Sequence, residues 1–256
     1  MPDAFFQLDG ELLVPSELTR GPWDPGAQHA GPPSALVARA IERHEPREGL
    51  RVGRITLEIL QPVPLAPLSV SVELVRPGRS VELLEASLSG PDGELIRARA
   101  WRAQASDLRL EEQEPPPAGP DAGAEGEFFA TGQEVGYHTA MEYRFVTGGF
   151  VVPGPATVWM RPRVPLVAGE ETTPLQRAFI TADSGNGVSA ALDWRKTIFI
   201  NTDLTVHLHR PPAGEWVCLD AVTTIQRSGI GMAESRLFDE QGVLGRSLQS
   251  LFVARR

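Results

Sequence analysis

Two stretches of this 256-residue chain repeat one another at a fixed distance, and that repeat limits what the chain can fold into. Arg54-Ile-Thr-Leu-Glu-Ile-Leu-Gln-Pro62 and Asp203-Leu-Thr-Val-His-Leu-His-Arg-Pro211 alternate apolar and polar residues and both stop at proline. Alternation with period two marks a half-buried strand, and proline cannot continue a central one. The two prolines are 211 − 62 = 149 positions apart, and the turn signals Pro91-Asp-Gly93 and Glu240-Gln-Gly242 are again 242 − 93 = 149 apart. Two independent signals at one offset point to a duplicated unit.

Each copy continues alike. Strands are expected at Leu68–Leu74, Val81–Leu88 and Glu94–Ala103 in the first half, and at Glu215–Val222, Gly231–Phe238 and Val243–Ala254 in the second. Short turns join them, so each set reads as a four-stranded antiparallel meander. One helix precedes each meander. Pro33–Glu45 opens on proline, ends before Pro46 and is apolar around most of its circumference, so it expects burial on several sides; Thr173–Asp183 is its counterpart. Residues 106–127, with Glu111-Glu112-Gln113-Glu114 and Pro115-Pro116-Pro117, read as a solvated acidic linker. The expected organisation is therefore a unit over 1–105, the linker, and a second unit over 128–256. The class is α+β, with sheet edges that the two units can share.

Composition narrows the function. With 41% hydrophobic and 22% charged residues the chain can bury a core, and a net charge of −9 argues against a nucleic-acid partner. Cys218 is the single cysteine, so no intrachain disulfide or thiolate cluster is expected. The N-terminus lacks the features of a signal peptide, and no run is long enough for a membrane span. A cytoplasmic protein is the expectation. Lys196, the single lysine, is the one candidate for Schiff-base chemistry, and nothing around it suggests that role. His207 and His209 share a strand face but have no evident third ligand, so no metal is expected. Gly187-Val188-Ser189-Ala190-Ala191 lacks the closing glycine of a nucleophile elbow, and Asp183-Ser-Gly-Asn-Gly187 lacks the closing acid of a calcium loop.

Three stretches of the second half carry a family likeness: Ile180-Thr-Ala-Asp183, the segment from Asn201 through His209-Arg210-Pro211, and Ser247-Leu-Gln249-Ser-Leu-Phe-Val. With Gln28-His-Ala-Gly-Pro-Pro-Ser-Ala-Leu36 ahead of the first helix, the chain resembles bacterial acyl-CoA thioesterase II. The resemblance implies a tandem double hotdog fold, in which two curved antiparallel sheets each wrap a central helix. It further implies hydrolysis of fatty acyl-CoA, without cofactor or metal, through an Asp, a Thr and a Gln that activate water. Asp183 and Gln249 fall on two of these positions, and Asn201 stands at the Thr position with Thr202 beside it. Pro32 replaces a family glycine. Asparagine and glutamine amides can hold a water without taking its proton, and thioester hydrolysis needs such a water beside a base.

Backbone N–H groups of Ala30 and Gly31 are the expected oxyanion donors, since Pro32 and Pro33 have none. Arg210, with Arg161 and Arg163, is expected near the CoA phosphates. Two rivals stand beside hydrolysis: a non-catalytic acyl-CoA-binding protein, and a hydratase on the same fold. Hydratases of this kind are similar to one another in pairing an Asp with a His, and the acid near His29 in the chain is Asp24. A homodimer or higher homo-oligomer is left open.

Overall fold

The structure is a computed structural model that describes residues 3–106, 108, 115–126, 128 and 131–256. In chain order the elements of the first half are β1 (Phe6–Asp9), β2 (Leu12–Pro15), α1 (Gly31–Arg43), β3 (Leu50–Ile59), β4 (Ser69–Arg76), β5 (Val81–Gly90) and β6 (Gly93–Gln104). The second half contributes α2 (Tyr137–Ala140), β7 (Met141–Gly149), β8 (Val152–Pro162), α3 (Pro174–Ala182), α4 (Gly185–Val188) and β9 (Thr197–Asn201). It closes with β10 (Asp203–Leu208), β11 (Val217–Ile225), β12 (Ile230–Asp239) and β13 (Gly242–Arg255).

The repeat governs the sheet residue by residue. Val72 pairs with Ala86, and 149 positions on Ala221 pairs with Ser235; Leu84 pairs with Ala100, and Ala233 with Gln249. Gly93 and Gly242, the two turn glycines, have φ of 114° and 127°, a region that favours glycine. The meanders join edge to edge where β3 pairs with β10, giving an eleven-stranded sheet in the order β4-β5-β6-β3-β10-β13-β12-β11-β8-β7, with β9 on β13. Thr56 lies opposite Thr205, its own repeat mate, and the two hydroxyls share a hydrogen bond of 3.2 Å across the 149-residue separation. An approximate twofold axis passes between them. This is the tandem hotdog that the sequence leads one to expect.

Helices α1 and α3 lie against each other on the concave side. Gly31 through Ala38 and Ile41 are buried in α1, as are Leu175, Gln176 and Ala178–Ala182 in α3. A Cβ at Gly31 would come within 2.3 Å of the Ile180 carbonyl oxygen, so only glycine admits this close approach. Arg39 and Arg43 of α1 both grip Glu170, the residue pair Arg39–Glu170 at 2.6 and 2.8 Å, and tie the first helix to the second half. At the same, C-terminal end of α1, Arg102 donates to the carbonyl oxygen of His44 at 2.8 Å and pairs with Glu82, which is fully buried and also takes Arg47 at 2.8 Å.

Two details depart from expectation. The described part of the linker is not simply solvated: the Ala118 carbonyl accepts from the indole N–H of Trp159 at 2.7 Å, and Ala124 bridges Phe145. Trp159 sits fully buried with Cys218 and Phe238, in a cluster separate from the main core, and its N–H needs an acceptor there. The acidic run at 111–114 lies outside the described residues. The second half also carries an extra helix, α4, and splits the counterpart of β3 into β9 and β10, so Asn201 closes β9 instead of opening the strand that follows. Among the described residues, no helix is long and apolar enough to cross a membrane.

The join makes a clear expectation about the halves in isolation. In the native pairing Arg54 faces His207 and Glu58 faces Asp203. Self-pairing about Thr205 would instead set Asp203 against His207, opposite charges once the imidazole is protonated. Residues 128–256 expressed alone should therefore form a self-paired dimer or aggregate, read by light scattering; a cooperative monomer would contradict the role given to the join.

A second expectation concerns Glu170. Hydrogen bonds from Arg39, then Arg43, pull its carboxyl down to about 2. A depressed carboxylate stabilises the fold above its ordinary value and loses that contribution as pH falls toward the folded value. Glu170→Gln should cost about 1–2 kcal/mol at pH 7 after allowance for solvent screening. In acid melts the gap between variant and wild type should close as pH falls from 4.5 toward 2.

Candidate functional site

Helix α1 begins without a capping side chain at its N-cap, Ala30. Pro32 and Pro33 remove two of the donors that a first turn leaves orphaned, and the Gly31 N–H goes to Nδ1 of His29 at 3.1 Å. An imidazole thus finishes the helix start and is fixed by it. Its ring lies flat on Tyr137, with centroids 3.7 Å apart and planes 9° from parallel. Tyr137, at the start of α2, donates its hydroxyl to the Ile180 carbonyl at 2.7 Å and lies 3.0 Å from the Ser184 hydroxyl. Burial drives its phenol far above the ordinary value, so it stays a donor.

The same close approach of helices sets His29 beside Asp183, at the C-terminal end of α3. Nδ1 of His29 is 3.1 Å from Oδ2 of Asp183. Asp183 Oδ1 accepts from Asn201 Nδ2 at 2.9 Å and from Gln249 Nε2 at 3.2 Å, and Gln249 Nε2 also donates to the Asp183 backbone carbonyl at 3.0 Å. The amide oxygen of Gln249 accepts from the Asn186 N–H of α4 at 3.1 Å. Both ends of the Gln249 amide are engaged, and the residue is buried behind the carboxylate. Asn201 also reaches the Asp203 carbonyl at 3.3 Å, which holds the break between β9 and β10.

A cleft of about 400 Å³ opens onto this group between the halves. Asp183, Asn186, Asn201 and Thr202 line it from one side; Gln28, His29, Ala30 and Ile59–Val63 line it from the other. Trp23 sits at its wall and stacks edge-on against Phe199. Next to it, across His29, lies a small aromatic chamber lined by Tyr137, Tyr143, Phe128 and Phe150. Burial lowers the His29 pKa, and the Asp183 charge opposes that. One nitrogen cannot accept from Gly31 and donate to Asp183 at the same time. A proton on Nδ1 turns it toward Asp183 and frees the Gly31 N–H.

The structure thus brings Asp183, Asn201 and Gln249 together, with Ala30 on the cleft wall and Gly31 just behind it. Arg210 lies elsewhere: at the far end of β10 its guanidinium is held by Asp239 and the Val243 carbonyl, clamping the β12–β13 turn. Arg161 is engaged by Glu142 and Glu215 and sits over Trp216, while Arg163 donates to the Met141 carbonyl. None of the three arginines lines the cleft. His29 is the residue that sequence reasoning set aside, because its acid lies 154 positions away (183 − 29) and not at neighbouring Asp24. Its place two residues ahead of Gly31 and two prolines at a helix start was the available signal.

Comparison with known proteins agrees with this architecture. The acyl-CoA thioesterase N-terminal domain family matches residues 19–103, and the acyl-CoA thioesterase C-terminal domain family matches residues 98–253. No curated protein matches the chain significantly in sequence. Among solved structures, the fold is shared with a hot dog protein of unknown function from Alicyclobacillus acidocaldarius (16% identity, 98% of this chain and 97% of that one, TM-score 0.74). It is shared too with a TesB protein from Mycobacterium avium subspecies paratuberculosis (15%, 95% and 92%, 0.69). An acyl-CoA thioesterase II from Mycobacterium marinum is similar as well (14%, 98% and 94%, 0.67). With both domain families matched in order along one tandem hotdog, the chain belongs to the acyl-CoA thioesterase family.

Proposed function

We propose that the chain hydrolyses fatty acyl-CoA thioesters to free acid and CoA in the cleft between its halves, with Asp183 as general base. One observation carries this reading: a carboxylate 4% exposed, held on Oδ1 by two amide donors, with Oδ2 left toward the cleft and His29. Two donors on one oxygen fix the carboxylate's rotation, so the other oxygen is aimed. A water held between Oδ2 and the Asn201 amide loses its proton to Asp183 as it attacks the thioester carbon. The carbonyl oxygen gains charge and is met by the Ala30 N–H and, when His29 turns to Asp183, by the Gly31 N–H. Collapse breaks the C–S bond, and the thiolate takes up the proton. Gln249 acts through Asp183, as a positioning residue.

The His29–Asp183 contact also favours a second reading, hydration of an enoyl-CoA, in which the same pair would move a proton to or from carbon. Free thiol appears in hydrolysis alone, whereas loss of enoyl absorbance without thiol marks hydration. The two assays on one enoyl-CoA substrate separate the readings.

Asp183→Asn keeps shape and reach but removes the base. Thiol release should fall by about 10²–10⁴, with little change in melting temperature or in KM. Retention of more than about a tenth of the wild-type rate would remove Asp183 from the base role.

Gln249→Ala should lower kcat by about tenfold or more and leave KM nearly unchanged, since the amide touches the carboxylate and not the substrate. A raised KM at constant kcat would place Gln249 on the substrate instead.

A further inference from the structure

The approximate twofold axis between Thr56 and Thr205 implies that whatever one side of the molecule builds, the other side has the backbone to build again. A second cleft of about 350 Å³ is there. Pro211 and Pro212 on its wall are the repeat mates of Pro62 and Val63 in the catalytic cleft, and Arg51 and Val52 are the mates of Ile200 and Asn201. The helices exchange parts as a twofold requires. The start of α3, at Pro174 and Leu175, stands where the start of α1 stood, and the end of α1, at Glu42, stands where Asp183 stood at the end of α3.

The chemistry of the second cleft has changed. Glu42 accepts from Thr173 Oγ1 at 2.8 Å and Gln176 Nε2 at 3.1 Å, both from the start of α3, as Asp183 meets His29 from the start of α1. Burial pushes the Glu42 carboxyl up, with those two bonds opposing. The water-holding amides are gone, because Val52 replaces Asn201 and Ala100 replaces Gln249 at mate positions. Arginines have come in: Arg51 where the mate is Ile200, and Arg102 where the mate is Leu251. Arg102 is 4% exposed, and its Nε is a buried donor with no hydrogen-bond partner, although its other nitrogens are engaged. An unmet buried donor on a cleft wall asks for an acceptor. The remaining walls are apolar, from Leu50, Pro174, Leu175 and Pro211, and the volume is in the range that holds small ligands.

We propose that this second cleft is a non-hydrolytic binding site for an amphipathic carboxylate of the fatty-acid class, its head met by Arg51 and Arg102 and its chain laid on the proline and leucine walls. Carboxylate suits a guanidinium fork, and a buried carboxyl beside it can donate its own proton to the incoming head. The site rests on the pseudosymmetry and not on the hydrolytic reading, so either can fail alone.

Decanoate is the probe, titrated calorimetrically into the full chain. The wild type should bind it; Arg51→Lys, which keeps the charge but loses the fork, should weaken binding by a few-fold, and Arg51→Glu at least about tenfold. Thiol release by both variants should match wild type, which certifies their fold. Equal binding of decanoate by Arg51→Glu, equal binding of decanol by wild type, or displacement by equimolar inorganic phosphate would each overturn the proposal. Should Arg51→Glu fail to fold, amide resonances of the wild type decide. Decanoate-induced shifts at Leu50, Arg51, Val52 and Leu175 support the second cleft. Shifts confined to Ile200, Asn201 and Thr202 place the ligand in the catalytic one and end the proposal.

Discussion

The pairing of β3 with β10 is the contact on which the rest of the molecule depends. It converts two meanders into one sheet, and it does so in a register that sets Thr56 against Thr205. A hydroxyl can donate and accept, so a threonine can hydrogen-bond its own copy across a dyad. Once the strands are fixed, α1 and α3 have a single way to lie together, with Gly31 under the Ile180 carbonyl. That approach is what carries His29, from the first half, to Asp183, from the second. The His29–Asp183 group is a product of the join as much as of either half.

Much of this was legible in the chain. Period-two alternation, with glycines at Gly93 and Gly242, made the strands and their turns legible because side-chain direction in a sheet alternates strictly and turns need particular backbone angles. Asp183, Asn201 and Gln249 were legible through family resemblance, and the fold does bring them within hydrogen-bonding distance. The pairing of Asp183 with His29 was not. It depends on the distance between two helices, which no local pattern encodes. The direction of the Gln249 amide was hidden for a similar reason: only the fold shows that α4 supplies a backbone N–H to its oxygen and so turns the amide toward the carboxylate. Arg210 misled because a guanidinium suggests phosphate, while the nearby Asp239 claims it first.

The two helix starts show one backbone problem solved in two ways. At α3, Thr173 and Gln176 form a capping box that satisfies the first-turn donors with ordinary polar side chains. At α1, prolines delete two donors and an imidazole takes the Gly31 N–H. The second solution leaves a titratable ring at a helix end, and so links local backbone geometry to protonation.

The extra α4 lies between α3 and β9, the strand that matches the start of β3, whereas α1 and β3 are separated by residues 44–49 alone. Within the meanders, by contrast, the 149-residue spacing is kept from β4 through β6 against β11 through β13. A single inserted residue in a strand would turn every following side chain to the wrong face, so length change there is forbidden by pleat geometry. The connection ahead of β9 carries no such penalty. After duplication, innovation had one permissive gap through which to enter, and the second copy carries Asn186 there, whereas Asn201 is a replacement at a strand position whose mate is Val52. The history of the gene is thus written as indel tolerance: strands conserve spacing, and the loop before the join records the divergence.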